Sequence, residues 1–191
     1  MAIRSFLAFE LPHETKRAVA GVLKDVRNSG LNARWVKVDN IHLTVIFIGN
    51  IGAQDVPAIG DEVKEVSSEY APFHISLRGL GVFPNPRRPR VLWVGLDCEI
   101  ERMTRFRDDL QNRLKPFGLK EEKRSFRPHL TLGRFREPVR GHGQLDDLIS
   151  RYSDFRGPVS ELGEFVFFQS LLKPGGAEYS RLGTYPLKGR S

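Results

Sequence analysis

The 191-residue sequence contains a single cysteine, Cys98. One thiol closes no internal disulfide and builds no thiolate metal cage. A chain without a disulfide framework fits a reducing, cytoplasmic compartment. No run of 18 uninterrupted apolar residues occurs, so no membrane span is expected. The opening MAIRSFLAFELPHE has too short an apolar part, and no small-residue cleavage site, for a secretory signal. Low-complexity tracts and linkers are missing as well. Hydrophobic residues make up 40% and charged residues 28%, and the apolar ones recur along the whole chain. That pattern excludes disorder and describes a soluble globular protein. The length suits one domain, 1–191, or two small lobes within it.

Acidic residues are in deficit. Lys and Arg number 30 against 23 Asp and Glu, a net charge of +7, and 21 of the 30 are arginine. The surplus suits a polyanionic partner, nucleic acid first, although a charge of this size also serves solubility alone.

Periodicity gives the elements. Phe6–Leu11 reads as a strand, and Pro12 opens a helix with apolar residues at Val19, Val22, Leu23 and Val26. A short strand is expected over Arg34–Val38, and a β-branched one over Ile41–Gly49. Asp55 is expected to cap a helix carrying Val56, Ile59, Val63 and Val66, and Phe73–Phe83 is extended. After the proline-stiffened loop Pro84–Pro89 the order recurs. Val91–Asp97 is a strand, Ile100–Leu114 a helix and Pro128–Phe135 a strand. Leu145–Tyr152 suggests a short helix, and Phe165–Leu172 and Glu178–Tyr185 are strands around a turn at 173–176. A shift of 87 residues carries Phe6 onto Trp93 and the first helix onto that at 100–115. The expected fold is therefore α+β and bilobal, an internal duplication with repeat units of roughly 1–90 and 91–191. Two antiparallel sheets would face each other across a central cleft, with helices on the outer faces.

One motif appears in both halves: HLTV from His42 and HLTL from His129, again 87 apart. With 5 His and 5 Thr in the chain, about 0.13 His-x-Thr triplets are expected by chance. On a strand, residues i and i+2 share a face. His42 projects with Thr44, and His129 with Thr131, while their leucine neighbours face the core. A pseudo-two-fold would bring two imidazoles and two hydroxyls around one small anion. In-line displacement at phosphorus needs a base at the attacking oxygen and an acid at the leaving oxygen. Two histidines, one neutral and one charged, can supply both near neutral pH. The residues alone leave open which histidine does which. No cysteine or acidic residue is spaced to complete a metal site with either pair. His13, His74 and His142 read as structural.

The segments FLAFEL, NIHLTVIFIG, GVFPNPRRPRVLWVGL, RPHLTLGRF and SLLKPGGAEYSRL together resemble the RNA 2′,3′-cyclic phosphodiesterases, also described as 2′-5′ RNA ligases, of the two-histidine phosphoesterase superfamily. The resemblance spans nearly the whole chain. It implies a bilobal fold without metal or nucleotide cofactor, and opening of an RNA or oligonucleotide 2′,3′-cyclic phosphate to a 2′-phosphate. It further implies His42 as proton donor and His129 as proton acceptor. Apart from the resemblance, a cytoplasmic monomer without membrane association is expected. Two alternatives stand beside hydrolysis: 2′-5′ ligation by the same residues, and a nucleotide- or RNA-binding module without turnover. Further substrate-binding candidates are Arg134 for the phosphate and Phe47, Phe126 and Tyr179 for stacking on a base. Arg87, Arg88 and Arg90, and the group Lys120, Lys123, Arg124 and Arg127, are candidates for tracking an RNA backbone.

Overall fold

The computed structural model describes residues 2–137, 142–174 and 176–190. Its elements follow the expected order: β1 (Ala2–Glu10), α1 (His13–Asn28), β2 (Arg34–Trp35), β3 (His42–Gly52), α2 (Val56–Glu69), β4 (Phe73–Phe83), β5 (Val91–Cys98), α3 (Ile100–Leu114), β6 (His129–Arg134), α4 (His142–Arg151), β7 (Arg156–Leu162), β8 (Glu164–Lys173) and β9 (Gly176–Pro186). Three local features differ from the sequence reading. The strand expected over Arg34–Val38 is only Arg34–Trp35, because Val38–Asn40 turns into a 3-10 helix ahead of β3. The Asp55 side chain makes no capping hydrogen bond and instead accepts from Gln54 Nε2 at 3.3 Å. The strand β7 has no strong sequence signal, because Gly157 and Pro158 interrupt it. It is tolerated as the last strand of its sheet, where a missing N–H costs little. Gly175, in the expected 173–176 turn, and the side chain of His142 lie outside the described residues.

Two antiparallel sheets form. One has the order β3-β1-β8-β9 and the other β2-β6-β5-β4-β7. The duplication is visible in these orders: β3 and β6 hold the two motifs, with β1 and β5 beside them. The next position is exchanged. Strand β4, from the first half, pairs with β5, and β8, from the second half, pairs with β1. The division of the sequence near residue 90 is therefore not the division between the sheets.

Alternation divides each motif-bearing sheet into two faces. In the first sheet Leu7, Phe9, Leu43, Phe165 and Phe167 point into the main core. They meet Phe73, Ile75, Leu77, Leu92, Val94, Leu130 and Leu132 of the second sheet, and the apolar stripes of α1 and α3. On the opposite face of the first sheet Phe6, Ala8, Val166 and Phe168 make a separate small cluster against Tyr179. That second cluster is the floor on which one motif rests.

Because each sheet is built from strands of both halves, two of them from the other half, loss of packing in one sheet should be felt in both. Phe9 is fully buried in the first sheet, whereas both tryptophans, Trp35 and Trp93, lie in the second. Phe9→Ala is expected to cost about 3–5 kcal/mol. Its tryptophan-fluorescence and far-ultraviolet dichroism transitions should move together in denaturant. A fluorescence transition left in place while the dichroism shifts would contradict the interleaved architecture.

Candidate active site

The two His-x-Thr pairs begin β3 and β6, and these strands lie against each other where the sheets meet. Both imidazoles are held by the same device. His42 Nδ1 lies 2.8 Å from the Asn40 carbonyl oxygen, and His129 Nδ1 lies 2.7 Å from the Arg127 carbonyl oxygen. A carbonyl only accepts, so Nδ1 carries the proton in each ring. Nε2 is left as the nitrogen available for proton transfer.

Aromatic walls enclose both rings. Phe6 stacks on His42 at 4.8 Å, and Tyr179 meets it edge-on at 5.2 Å. Phe83 meets His129 edge-on at 4.9 Å, with Trp93 at 6.1 Å. The indole of Trp93 lies over Gly81 of the neighbouring strand, where any Cβ would come within 2.3 Å of the ring. Burial pushes His42 down to about 4, against the opposing pull of the Asn40 carbonyl and of Glu10. Burial also lowers His129; the Arg127 carbonyl opposes this, and the charge of Arg134 adds to it. Both imidazoles are thus neutral in the free protein at neutral pH.

A matched pair of β-bulges shapes the rest. In the first sheet the register passes from Ala8 opposite Thr44 to Leu7 opposite Ile46, leaving Val45 as the extra residue. In the second it passes from Trp93 opposite Thr131 to Leu92 opposite Gly133, leaving Leu132 as the extra residue. The two bulges are also 87 residues apart. Each buries two successive residues, Val45–Ile46 and Leu132–Gly133, and returns the following one to the face of the motif. Phe47, 67% exposed, and Arg134 are the residues so placed. Strict alternation would have turned both into the core. The charge of Arg134 is felt by His129 and also by Tyr179, which touches His42, so Arg134 links the two halves of the site.

Beside His42 opens a cleft of about 150 Å³ lined by Glu10, Lys16, Asp39, Asn40, Tyr179 and Arg181, among others. Glu10 is directly opposite His42 on β1 and is ion-paired with Arg181. The sequence reading singled out none of Glu10, Lys16, Asp39 and Arg181. They are isolated charges on a strand, a helix, a turn and another strand, and only the tertiary fold gathers them. Phe126 is not in the site: its ring packs beneath Arg107, 5.5 Å from the guanidinium carbon, because the chain before β6 is tied to α3. Arg87, Arg88 and Arg90 are exposed in the loop after Phe83. Arg124 is instead paired with Glu122, which weakens the 120–127 segment as a track for anions. His74 is an exposed residue beside Glu161. Among the described residues no three His, Cys, Asp or Glu side chains are grouped to hold a metal ion, and no helix is long and apolar enough to cross a membrane.

The model of the family LigT like Phosphoesterase matches this chain twice, over residues 9–93 and 94–179. The chain is 33% identical over 184 residues to the RNA 2′,3′-cyclic phosphodiesterase of Archaeoglobus fulgidus, covering 96% of this chain and 99% of that one. It is 30% identical over 187 residues to the protein of the same name from Methanothermobacter thermautotrophicus, with coverage of 98% and 100%. Among solved structures it is similar to the TT0787 protein of Thermus thermophilus, with a TM-score of 0.81, 27% identity, and coverage of 99% and 100%. One match falls on each half and each contains one His-x-Thr pair, so the duplication, the two motifs and the near-complete relatives agree: the chain belongs to the LigT like phosphoesterase family.

Proposed function

We propose that the whole chain acts as one bilobal phosphodiesterase domain, a cytoplasmic monomer that hydrolyses the 2′,3′-cyclic phosphate end of RNA to a 2′-phosphate. The relatives named RNA 2′,3′-cyclic phosphodiesterase support the reaction. The observation that carries the mechanism is the matched pair of imidazoles, each with Nδ1 on a main-chain carbonyl and, among the described residues, no hydrogen bond at Nε2. In the reaction His129 Nε2 takes a proton from a water molecule as the water oxygen bonds to phosphorus. The bond from phosphorus to the ribose 3′-oxygen breaks on the opposite side, and His42 Nε2 gives its proton to that oxygen. The products are a 2′-phosphate and a free 3′-hydroxyl. Thr44 and Thr131 donate hydrogen bonds to the phosphate oxygens, Arg134 neutralises the anion, and Phe47 and Tyr179 offer ring faces to the base.

The surroundings of the two histidines differ in a way that supports this division of roles. Strands β1 and β5 are offset by two residues in their pairing with the motif strands. Glu10 faces His42, whereas Gly95 faces His129. Directly opposed side chains on one face are close neighbours, so His42 has a carboxylate beside it that favours its charged form. Position 95 admits no side chain, since a Cβ there would lie 2.6 Å from the Arg78 carbonyl oxygen. His129 has the cation Arg134 instead, which favours its neutral form. Lys16, Asp39, Tyr179 and Arg181 also border His42. Burial outweighs Glu10 in the free protein, and the negative charge of bound substrate works with Glu10 to let His42 hold a proton.

Hydrolysis in H₂¹⁸O tests the reaction. One ¹⁸O is expected in the phosphate of a 2′-phosphate product. A 3′-phosphate, or tight binding without turnover, would contradict the proposal. His42→Ala and His129→Ala should each lower turnover by about 10²–10⁴-fold. Thr44→Ala and Thr131→Ala should cost about 10–100-fold, as expected for one hydrogen bond to a charged group. The pH dependence follows from the lowered imidazoles. Acid removes the base form of His129, and alkali removes the acid form of His42, so kcat/KM should be a bell displaced to the acid side of 6.5. In kcat the alkaline limb should move to higher pH, because bound phosphate favours the His42 imidazolium. A flat profile across pH 5–9 would contradict paired-histidine catalysis.

The carboxylate facing His42 gives a test of opposite signs. Glu10→Gln should shift the alkaline limb of kcat to lower pH. Arg181→Met frees the carboxylate from its ion pair and should shift that limb to higher pH. Shifts in the same direction, or displacement of the acid limb, would reverse or remove the role of Glu10.

A further inference from the structure

Arg34 and Arg134 stand directly opposite each other on β2 and β6. The adjoining pair, Trp35 and Gly133, shows which way the strands face: a Cβ at Gly133 would lie 2.7 Å from the Trp35 ring, on the core side. Arg34 and Arg134 are therefore on the opposite face, that of His129 and Thr131. Like charges directly opposed on a sheet repel. Among the described residues neither guanidinium has a carboxylate within ion-pairing distance, and both are exposed. Arg34 extends toward the start of β9: its Nη2 would lie 3.6 Å from a Cβ at Gly176. It thus reaches from the second sheet to the first, at the hairpin of β8 and β9. Nearby cations in that hairpin are already engaged, as Lys173 is paired with Glu178 at 2.6 Å.

We propose that Arg34 binds a second phosphate of the RNA, that of the nucleotide preceding the cyclic end, while Arg134 holds the cyclic phosphate itself. This rests on the cyclic phosphodiesterase reading above and adds to it a subsite for an oligonucleotide. A strand carrying two successive anions relieves the repulsion between the two arginines, whereas a mononucleotide supplies one anion for two cations. A guanidinium also suits a phosphodiester, since its paired N–H groups match two phosphate oxygens. The subsite makes the enzyme selective for a chain end over a free cyclic nucleotide without reading any base.

The experiment compares a nucleoside 2′,3′-cyclic phosphate with a dinucleotide bearing the same cyclic end, in wild type, Arg34→Gln and Arg34→Lys. Wild type should favour the dinucleotide in kcat/KM. Arg34→Gln should lower kcat/KM on the dinucleotide about tenfold more than on the mononucleotide, and Arg34→Lys should recover part of that difference. The dinucleotide preference of wild type should weaken with salt, with a slope of roughly −0.7 in log preference against log salt, and Arg34→Gln should abolish that slope. A dinucleotide with an uncharged methylphosphonate linkage should lose the preference in wild type and show no differential effect of Arg34→Gln. An equal fall on both substrates, or an unchanged preference in Arg34→Gln, overturns the subsite. Failure of wild type to open the cyclic phosphate of either substrate would instead overturn the cyclic phosphodiesterase reading, so the two failures are distinct.

Discussion

Each histidine gives its Nδ1 proton to the carbonyl oxygen two residues before it, and the proposed chemistry depends on those two hydrogen bonds. A free imidazole exchanges between two tautomers and can rotate. A ring bonded at Nδ1 does neither, and it keeps Nε2 for the substrate. The acceptors are main-chain atoms, Asn40 and Arg127, just ahead of strands β3 and β6, so the fold itself supplies them. The side chains at those positions are then free to differ, an amide in one half and a guanidinium in the other.

Duplication places the two motifs on equivalent strands that lie against each other, and departures from duplication distinguish them. The bulges at Val45 and Leu132 are equivalent, yet they carry an aromatic ring to one side of the site and a cation to the other, Phe47 and Arg134. The two-residue offset between β1 and β5 is not equivalent: it sets Glu10 against one histidine and a glycine against the other. A symmetrical site would hold two imidazoles of equal basicity, with no preferred direction for proton flow. Here the neighbours differ: Glu10 favours the charged form of His42 and Arg134 the neutral form of His129, while burial lowers both rings in the free protein. The exchange of β4 and β8 joins the two sequence halves within each sheet through main-chain hydrogen bonds.

Much of this was legible in the sequence. The His-x-Thr pairs, the 87-residue shift and the 3.6- and 2-residue periodicities identified the motif strands, three of the four helices among the described residues nearly to their ends, and the α+β class. Arg134, Phe47 and Tyr179 were picked as binding candidates and all lie beside the motifs, although the bulges that direct Arg134 and Phe47 left no trace in the pattern. A bulge is a property of two strands in register, and one strand read alone shows only apolar residues in succession. Glu10 and Arg34 were invisible for the same reason: each gains its place from the residue opposite. The strand β7 was missed because its Gly-Pro step argues against a strand unless the strand is known to be at an edge. Phe126 was misassigned because nearness in sequence to His129 says nothing about which way a loop residue turns, and Arg107 of α3 holds it outside the site.

The state of the two imidazoles is the claim on which the mechanism turns, and nitrogen NMR of ¹⁵N-histidine-labelled protein reads it directly. At neutral pH without ligand, His42 and His129 should both be neutral with the proton on Nδ1. Saturation with a nucleoside 2′-phosphate should perturb the Nε2 resonances of both and bring His42 toward the imidazolium. A neutral ring protonated at Nε2 in either residue, or a product that perturbs only one of the two, would contradict a site built on paired Nε2 atoms.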